Sequence, residues 1–549
     1  MRGLMMDRPL LVSSLIDYGA EIHGDAMVVS RRVEGDTHRY GYADARARIV
    51  QLAHALRTLG VREGDRVATM AWNGHRHFEV YYAASGIGAV CHTVNPRLFP
   101  EQLVYIVNHA EDRLLFVDLP FLPLIESLID RMPSLEHVVI MTDATHRPET
   151  TLPGARCYED LIQGQPTAID WPDLDENAAA GLCYTSGTTG HPKGVLYSNR
   201  SSVLHALSVA LVADSVRLTR NDRVLPVVPL FHVNAWGLPY IAPILGTSLV
   251  FPGPHLDGES LFELMEDEQV TAGWGVPTVW LGLLAAMQKR GRKPAQLRSL
   301  LIGGSAVPRA MIEAFEDRWQ IAVTHGWGMT EMSPVGTLGI LSPDQAAQPR
   351  EQRMARKVKQ GRRMFLVDMK IVDPAGKRLP HDGVARGELL VRGPAITAGY
   401  YKDAAANRAA FDDEGWFRTG DIATIDADGF LLIVDRAKDI IKSGGEWISS
   451  IDVENAAMGH PAVAEAAVIG LPHPKWVERP LLVVVPKAGA EATKADILQF
   501  LAAKMAKWWL PDDVVFVEAL PHSATGKLQK SRLREQFKDY VLPAAQTEP

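Results

Sequence analysis

Apolar positions recur along this chain with two different periods. Short apolar runs such as Arg66-Val67-Ala68-Thr69-Met70, Leu114-Leu115-Phe116-Val117 and His137-Val138-Val139-Ile140-Met141 have the length and β-branched content of buried strands. Each adjoins an amphipathic stretch with helical spacing. This β–α alternation predicts an α/β fold with a largely parallel sheet. Residues 362–434 break the rhythm. Their short strand patterns are separated by turn signals at Asp373-Pro374-Ala375-Gly376, Asp382-Gly383 and Asp428-Gly429, which predicts a small antiparallel sheet or barrel-like subdomain.

The pattern restarts after Asp435-Arg436 as a compact α+β unit. Glu446-Trp447-Ile448 reads as a strand, and Ser449 with Asp452 reads as the cap of a helix that ends at His460-Pro461. Runs 464–471 and 481–486 read as strands. Thr493 with Asp496 caps a helix whose Ile497, Phe500, Leu501 and Met505 share a face. The expected organisation is a large N-terminal domain over 1–435, built of layered α/β subdomains with its β-rich part at about 362–434, and a small C-terminal domain over 436–549. A chain of 549 residues requires at least two cores.

Composition adds exclusions. The net charge of -8 argues against general nucleic-acid binding. Cys91, Cys157 and Cys183 have no metal-site spacing and no paired framework, which fits buried reduced thiols and a cytoplasmic protein. Asp7 and Pro9 interrupt any apolar core near Met1, so no secretory signal is expected. No apolar run reaches spanning length, so no integral membrane association is expected.

The segment richest in chemistry is Tyr184-Thr185-Ser186-Gly187-Thr188-Thr189-Gly190-His191-Pro192-Lys193-Gly194. It lies between two apolar runs, so a loop joining two strands is predicted. Its glycines let backbone N–H groups turn toward an anion, its four hydroxyls add donors, and Lys193 adds a cation. The Gly-Lys-Ser/Thr ending of the ordinary P-loop is missing, which makes this a different phosphate loop. By composition alone it could equally be a flexible hairpin.

Further segments are suggestive in order. His232, in Pro229-Leu230-Phe231-His232-Val233-Asn234-Ala235-Trp236-Gly237, reads by itself as a core histidine. Ile302-Gly303-Gly304-Ser305-Ala306 would let a flat ligand lie on the backbone. In Gly326-Trp327-Gly328-Met329-Thr330-Glu331 an aromatic between glycines can stack on a purine, and the carboxylate can hold a hard cation. Asp421, in Trp416-Phe417-Arg418-Thr419-Gly420-Asp421, can accept from two sugar hydroxyls.

Taken together, from Tyr42-Ala43-Asp44 to Arg534, these strings resemble the adenylate-forming superfamily of acyl-CoA synthetases, firefly-type luciferases and peptide-synthetase adenylation domains. The wording of Cys91–Arg97 and Asp439–Ser449 is most like bacterial medium-chain fatty-acid–CoA ligases, and similarly close to ligases of 3-(methylthio)propionate. The resemblance implies ATP, Mg²⁺ and coenzyme A. It assigns Thr185, Ser186, Gly187, Thr188, Thr189, Gly190 and Lys193 to the β- and γ-phosphates. Gly304, Ser305, Ala306, His325, Gly326, Trp327, Gly328 and Met329 fall to the adenine and its border with the acyl group. Thr330 falls to the α-phosphate, Glu331 and Thr185 to the metal, and Asp421 and Arg436 to the ribose. Trp327 stands where tyrosine is usual, so a hydroxyl is lost.

The same resemblance puts His232 beside the acid, and Val233, Trp236 and Gly275 at the acyl wall. Lys438 is implied as the hinge of a mobile C-terminal domain. Lys527, in Pro521-His522-Ser523-Ala524-Thr525-Gly526-Lys527, is implied as the adenylation lysine, and Lys442, Ser443, Gly444, Gly445 and Trp447 as the pantetheine channel. Lys475, Arg479, Lys504, Lys507 and Lys530 are candidates for CoA phosphates. The expected partners are a short- or medium-chain carboxylic acid, ATP and CoA, with a homodimer favoured. A rival expectation is a fatty-acyl-AMP ligase that loads a carrier protein.

Overall fold

The computed structural model describes residues 1, 3–185, 191–443, 446–522 and 528–543. One sheet has seven strands among the described residues; it is parallel through Arg156–Cys157, His137–Ile140, Asp112–Val117, Arg66–Met70, Val90–Thr93 and Ala179–Tyr184, and closes with an antiparallel pair to Gly194–Ser198. The strands anticipated at 66–70, 114–117 and 137–141 are all present, within a residue or two at the ends.

The second sheet has thirteen strands among the described residues. Its middle is parallel, through Ser248–Phe251, Arg223–Pro226, Ala272–Gly275, Ser299–Ile302 and Ala322–Gly328. Ala272–Gly275 and Ser299–Ile302 are buried at every position, which is why they read as continuous apolar runs. From Ala322–Gly328 outward the pairing turns antiparallel, through Val335–Leu338, Gly361–Arg363, Phe430–Arg436, Phe417–Ile425, Gly387–Arg392 and Asp368–Val372. The β-rich segment is therefore an antiparallel extension of the parallel sheet.

After Phe430–Arg436 the chain leaves this sheet. Ile441–Ser443, Glu446–Ile448, Val463–His473, Val477–Pro486 and Asp513–Phe516 make a separate five-stranded sheet with its own apolar core around Val468, Leu482, Val484 and Val514. Ser449 and the Thr493–Asp496 pair cap the two helices as expected. The second helix buries Ile497 and Leu501 but stops at Ala502, short of Met505. All three cysteines are buried and unpaired.

The helix His75–Gly86 is buried at all of its positions and touches strands of both large sheets. Such a location demands that its charges be satisfied internally. Glu79 accepts hydrogen bonds from Tyr40 (2.9 Å) and Tyr158 (2.6 Å) and pairs with Arg48 at 2.8 Å. Replacing Glu79 with Ala leaves Arg48 and two phenols short of an acceptor. We expect Glu79→Ala to destabilise the large domain by about 3 kcal/mol, and Glu79→Gln by less, read as lowered urea midpoints. Equal midpoints for wild type and Glu79→Ala would refute this role.

Candidate functional site

The two strands flanking the phosphate-loop sequence are a hairpin, Ala179–Tyr184 against Gly194–Ser198. Thr185 N–H donates to the Lys193 carbonyl (2.9 Å), and Lys193 N–H donates to Thr185 Oγ1 (3.1 Å). The base of the loop is thus closed. Ser186, Gly187, Thr188, Thr189 and Gly190 lie outside the described residues, as do Gly444, Gly445 and Lys527.

A cavity of about 720 Å³ opens beside this base. Thr185 and Lys193 line it on one side, and His232, Val233 and Trp236 on another. Gly304, the run Gly326–Glu331, Arg436 and Lys438 line it as well. The sequence-distant segments are therefore brought to one place. Leu528, Gln529, Lys530 and Ser531 of the small domain also line it, so both domains share the cavity.

Glu331 is buried yet faces this space. Tyr400 donates its phenol to Glu331 Oε1 at 2.8 Å, Thr397 N–H holds the Glu331 carbonyl at 2.8 Å, and Tyr197 donates to the Thr330 carbonyl at 2.6 Å. Burial and the neighbouring carboxylate push the Tyr400 phenol well above its ordinary range, so it stays a donor. Lys193 Nζ sits 4.7 Å from the Tyr400 ring centroid. No cluster of three metal-ligating side chains occurs among the described residues. A single anchored carboxylate suits Mg²⁺, which takes one or two carboxylates and completes its shell with substrate phosphates and water.

Asp421 lies just behind the cavity, paired across the antiparallel ladder with Arg436. Arg436 Nε meets Asp421 Oδ1 at 2.9 Å, and the Trp327 indole N–H donates to Oδ2 at 3.0 Å. The tryptophan N–H thus fixes the aspartate.

The wall beyond His232 has an unusual backbone. Val233, Asn234, Ala235 and Trp236 have φ of 43°, 54°, 46° and 58°, and Gly237 follows at 84°. Each non-glycine residue in this left-handed region costs about 1–2 kcal/mol. The turn is nonetheless buried and presents His232, Val233 and Trp236 to the cavity.

Other expected residues stand apart. Gly275 does not line the cavity; its neighbour Val276 does, while a Cβ at Gly275 would meet the Trp280 ring at 2.8 Å. Ser305 and Ala306 also lie off the lining. His325 turns its Nδ1 to the Val358 carbonyl, 3.1 Å away. Lys442 is exposed, Trp447 packs with Ile422, Val434 and Ile440, and Ser443 accepts from Arg479 at 3.2 Å. Arg479 is committed to Asp512 at 2.6 Å, and Lys530, although it lines the cavity, is committed to Glu454 at 2.7 Å. Tyr197, Thr397 and Tyr400 carried no sequence signal, because each acts on a partner more than sixty residues away.

A family model described as AMP-binding enzyme matches residues 17–401, and one described as AMP-binding enzyme C-terminal domain matches 452–527. The chain belongs to the AMP-binding enzyme family. Among curated proteins it is 50% identical to the 3-methylmercaptopropionyl-CoA ligase of Ruegeria lacuscaerulensis, covering 98% of this chain and 99% of that one. It is 47% identical to the medium-chain-fatty-acid–CoA ligase of Ectopseudomonas oleovorans, covering 99% and 98%. Among solved structures it superposes on an anthranilate CoA ligase in complex with anthranoyl-AMP at a TM-score of 0.86, with 26% identity and 97% and 98% coverage. ATP-bound MatB from Rhodopseudomonas palustris gives 0.80, with 26% identity and 96% and 99% coverage.

Burial keeps His75, His77, His205 and His325 of this AMP-binding enzyme neutral. His77, His205 and His325 are each pushed down from 6.5 to about 4. The unfolded chain binds a proton at each below about 6.5 while the folded chain does not, so stability is full above that pH and is lost as pH falls toward 4. The gap is worth about 3 kcal/mol per histidine. His205 Nε2 accepts from Val335 N–H at 3.0 Å, an acceptor role that a glutamine oxygen can fill. We expect the melting temperature to fall steeply between pH 6.5 and 4.5, and His205→Gln to flatten that fall. A flat wild-type profile would contradict the burial argument.

Proposed function

We propose that this enzyme is an ATP-dependent acid–CoA ligase acting on a short- or medium-chain fatty acid or on 3-(methylthio)propionate. The observation that carries this reading is the convergence of the phosphate-loop base, Glu331, Arg436 and the His232 wall on one cavity, with Asp421 paired to Arg436 behind it. It occurs in a chain 47–50% identical, end to end, to curated ligases named for these acids. Bulky walls at Trp236 and Trp327 favour an acid of modest size.

The first half-reaction joins a carboxylate oxygen to the α-phosphorus, and the bond to the departing pyrophosphate breaks. Lys193 and the hydroxyl-rich loop neutralise the β- and γ-phosphates. Mg²⁺, held by Glu331 with Thr185 nearby, supplies charge compensation on the phosphates when bound. His232 orients the acid, Thr330 holds the α-phosphate, and Asp421 with Arg436 holds the ribose. Lys527 places its ammonium where negative charge gathers between acid and α-phosphate.

In the second half-reaction the CoA thiol, losing its proton, attacks the acyl carbon, and the carbon–oxygen bond to AMP breaks. Lys442, Ser443 and Trp447 lie away from the cavity in this arrangement, which supports a domain rotation about Lys438 between the two steps. We place the domain boundary at 435/436. No helix among the described residues is long and apolar enough to cross a membrane. A cytoplasmic homodimer completes the proposal.

Pyrophosphate release across acids from acetate to palmitate, with 3-(methylthio)propionate and benzoate included, tests the substrate class. Acyl-CoA must form from free CoA; AMP release that needs a carrier protein would instead identify a carrier-loading ligase. Lys527→Ala is expected to lower acyl-adenylate formation by at least about 100-fold while sparing thioester formation from supplied acyl-adenylate. Equal loss in both half-reactions would remove Lys527 from this role.

A further inference from the structure

The left-handed turn Val233–Gly237 is held from two sides. Tyr81, on the buried helix His75–Gly86, lies within hydrogen-bonding distance of the Leu230 carbonyl (2.6 Å) and of Asn234 Oδ1 (3.1 Å). Cys183 Sγ approaches the same Asn234 oxygen at 3.4 Å and sits 3.1 Å from Thr93 Oγ1. Cys183 belongs to Ala179–Tyr184, the strand that runs directly into Thr185 and the phosphate loop. Upstream, Asn73 fixes the approach to the turn: its side chain accepts from Leu230 N–H at 2.6 Å and donates to the carbonyls of Pro226 and Val228.

Asn234 therefore joins three things: the helix shared by both sheets, the strand of the phosphate loop, and the wall that carries His232 and Trp236. Asparagine is the non-glycine residue that enters the left-handed region most readily, and its amide oxygen gives the turn an anchor that glycine would lack. On the cavity side, Trp236 packs so closely that a Cβ at Gly303 would lie 3.3 Å from its ring, and it leans on Trp274 at 6.4 Å between centroids. A turn of right-handed residues in the same place would carry Trp236 away from this contact and His232 away from the cavity.

We infer that Asn234, anchored by Tyr81 and Cys183, is a positioning residue that holds this turn left-handed and so fixes the acid-side wall relative to the phosphate loop. The inference rests on the ligase reading for the identity of the acid side. It separates two functions of one residue: backbone handedness, which glycine can replace, and the side-chain anchor, which it cannot.

The test uses the full-length enzyme and three variants, Tyr81→Phe, Asn234→Gly and Asn234→Leu, with hexanoate and 3-(methylthio)propionate as probes. Pyrophosphate release is measured with acid varied at saturating ATP, and with ATP varied at saturating acid. Asn234→Leu loses both functions, and its KM for acid is expected to rise about tenfold while its KM for ATP stays within about twofold. Tyr81→Phe and Asn234→Gly lose only the anchor, with a rise in KM for acid of about threefold each. Should Asn234→Leu fail to fold, Tyr81→Phe decides, since it removes a single hydroxyl.

Unchanged KM for acid in folded Asn234→Leu or Tyr81→Phe overturns the inference, and so do KM values for acid and ATP that rise by the same factor. No wild-type turnover on any acid of the screen would overturn the ligase reading and this inference with it. Wild-type turnover with indifferent variants overturns this inference alone.

Discussion

A charged helix buried between two sheets has to be neutralised from within, and the solution found at Glu79 governs much of this molecule. Tyr40, Arg48 and Tyr158 come from three separate segments to satisfy one carboxylate. That fixes the helix His75–Gly86 in both rotation and height. Two positions along, Tyr81 uses the rigidity so obtained to reach the Leu230 carbonyl and Asn234. Stability and site geometry are thus one problem: the core that holds the sheets together also sets where the acid-side wall stands.

The cavity itself follows the same logic of anchoring polar groups before they meet a ligand. Glu331 is held by Tyr400, Asp421 by Trp327 and Arg436, and the loop base by Thr185 and Lys193. Side chains fixed in this way need not reorganise as charge develops on phosphorus, and fixed dipoles in a partly buried cleft act more strongly than solvated ones. Trp327 belongs both to the cavity wall and to the support of Asp421. Its ring remains at the cavity, and its indole N–H steadies the aspartate beside it.

Much of this was legible in the sequence, and the exceptions have physical causes. Continuous apolar runs identified Arg66–Met70, Asp112–Val117 and His137–Ile140 because parallel strands are buried on both faces. Capping residues identified the starts of the two small-domain helices, because caps are local. The order of the motif strings pointed to segments that do meet at one cavity. Tyr197 and Tyr400 were invisible because a tyrosine in a strand or turn has no pattern that reveals a distant carbonyl or carboxylate. Gly275 misled for the opposite reason: its lack of a side chain serves the Trp280 ring, not the cavity. The left-handed turn was hidden because Val-Asn-Ala-Trp carries no run of glycine, and only Asn234 and Gly237 favour that region.

The contact between the domains carries the last step of the argument. Asp435 lies near the end of the strand Phe430–Arg436, and its Oδ2 accepts from the Ser450 backbone N–H at 2.7 Å, at the first turn of the helix Ser450–Met458. Ser449 donates back to the Val434 carbonyl at 2.6 Å. Lys530 lies against Glu454 in the same cluster, and burial pushes Glu454 up to about 7 despite that lysine. A carboxylate at a helix N-terminus is favourable, but water can replace it there at modest cost once the helix end is exposed. These polar contacts flank a small apolar patch, Trp447 and Ile440 against Ile422 and Val434, and an interface of that kind opens at lower cost than a continuous apolar core. The proposed rotation about Lys438 would break and re-form these contacts around Asp435.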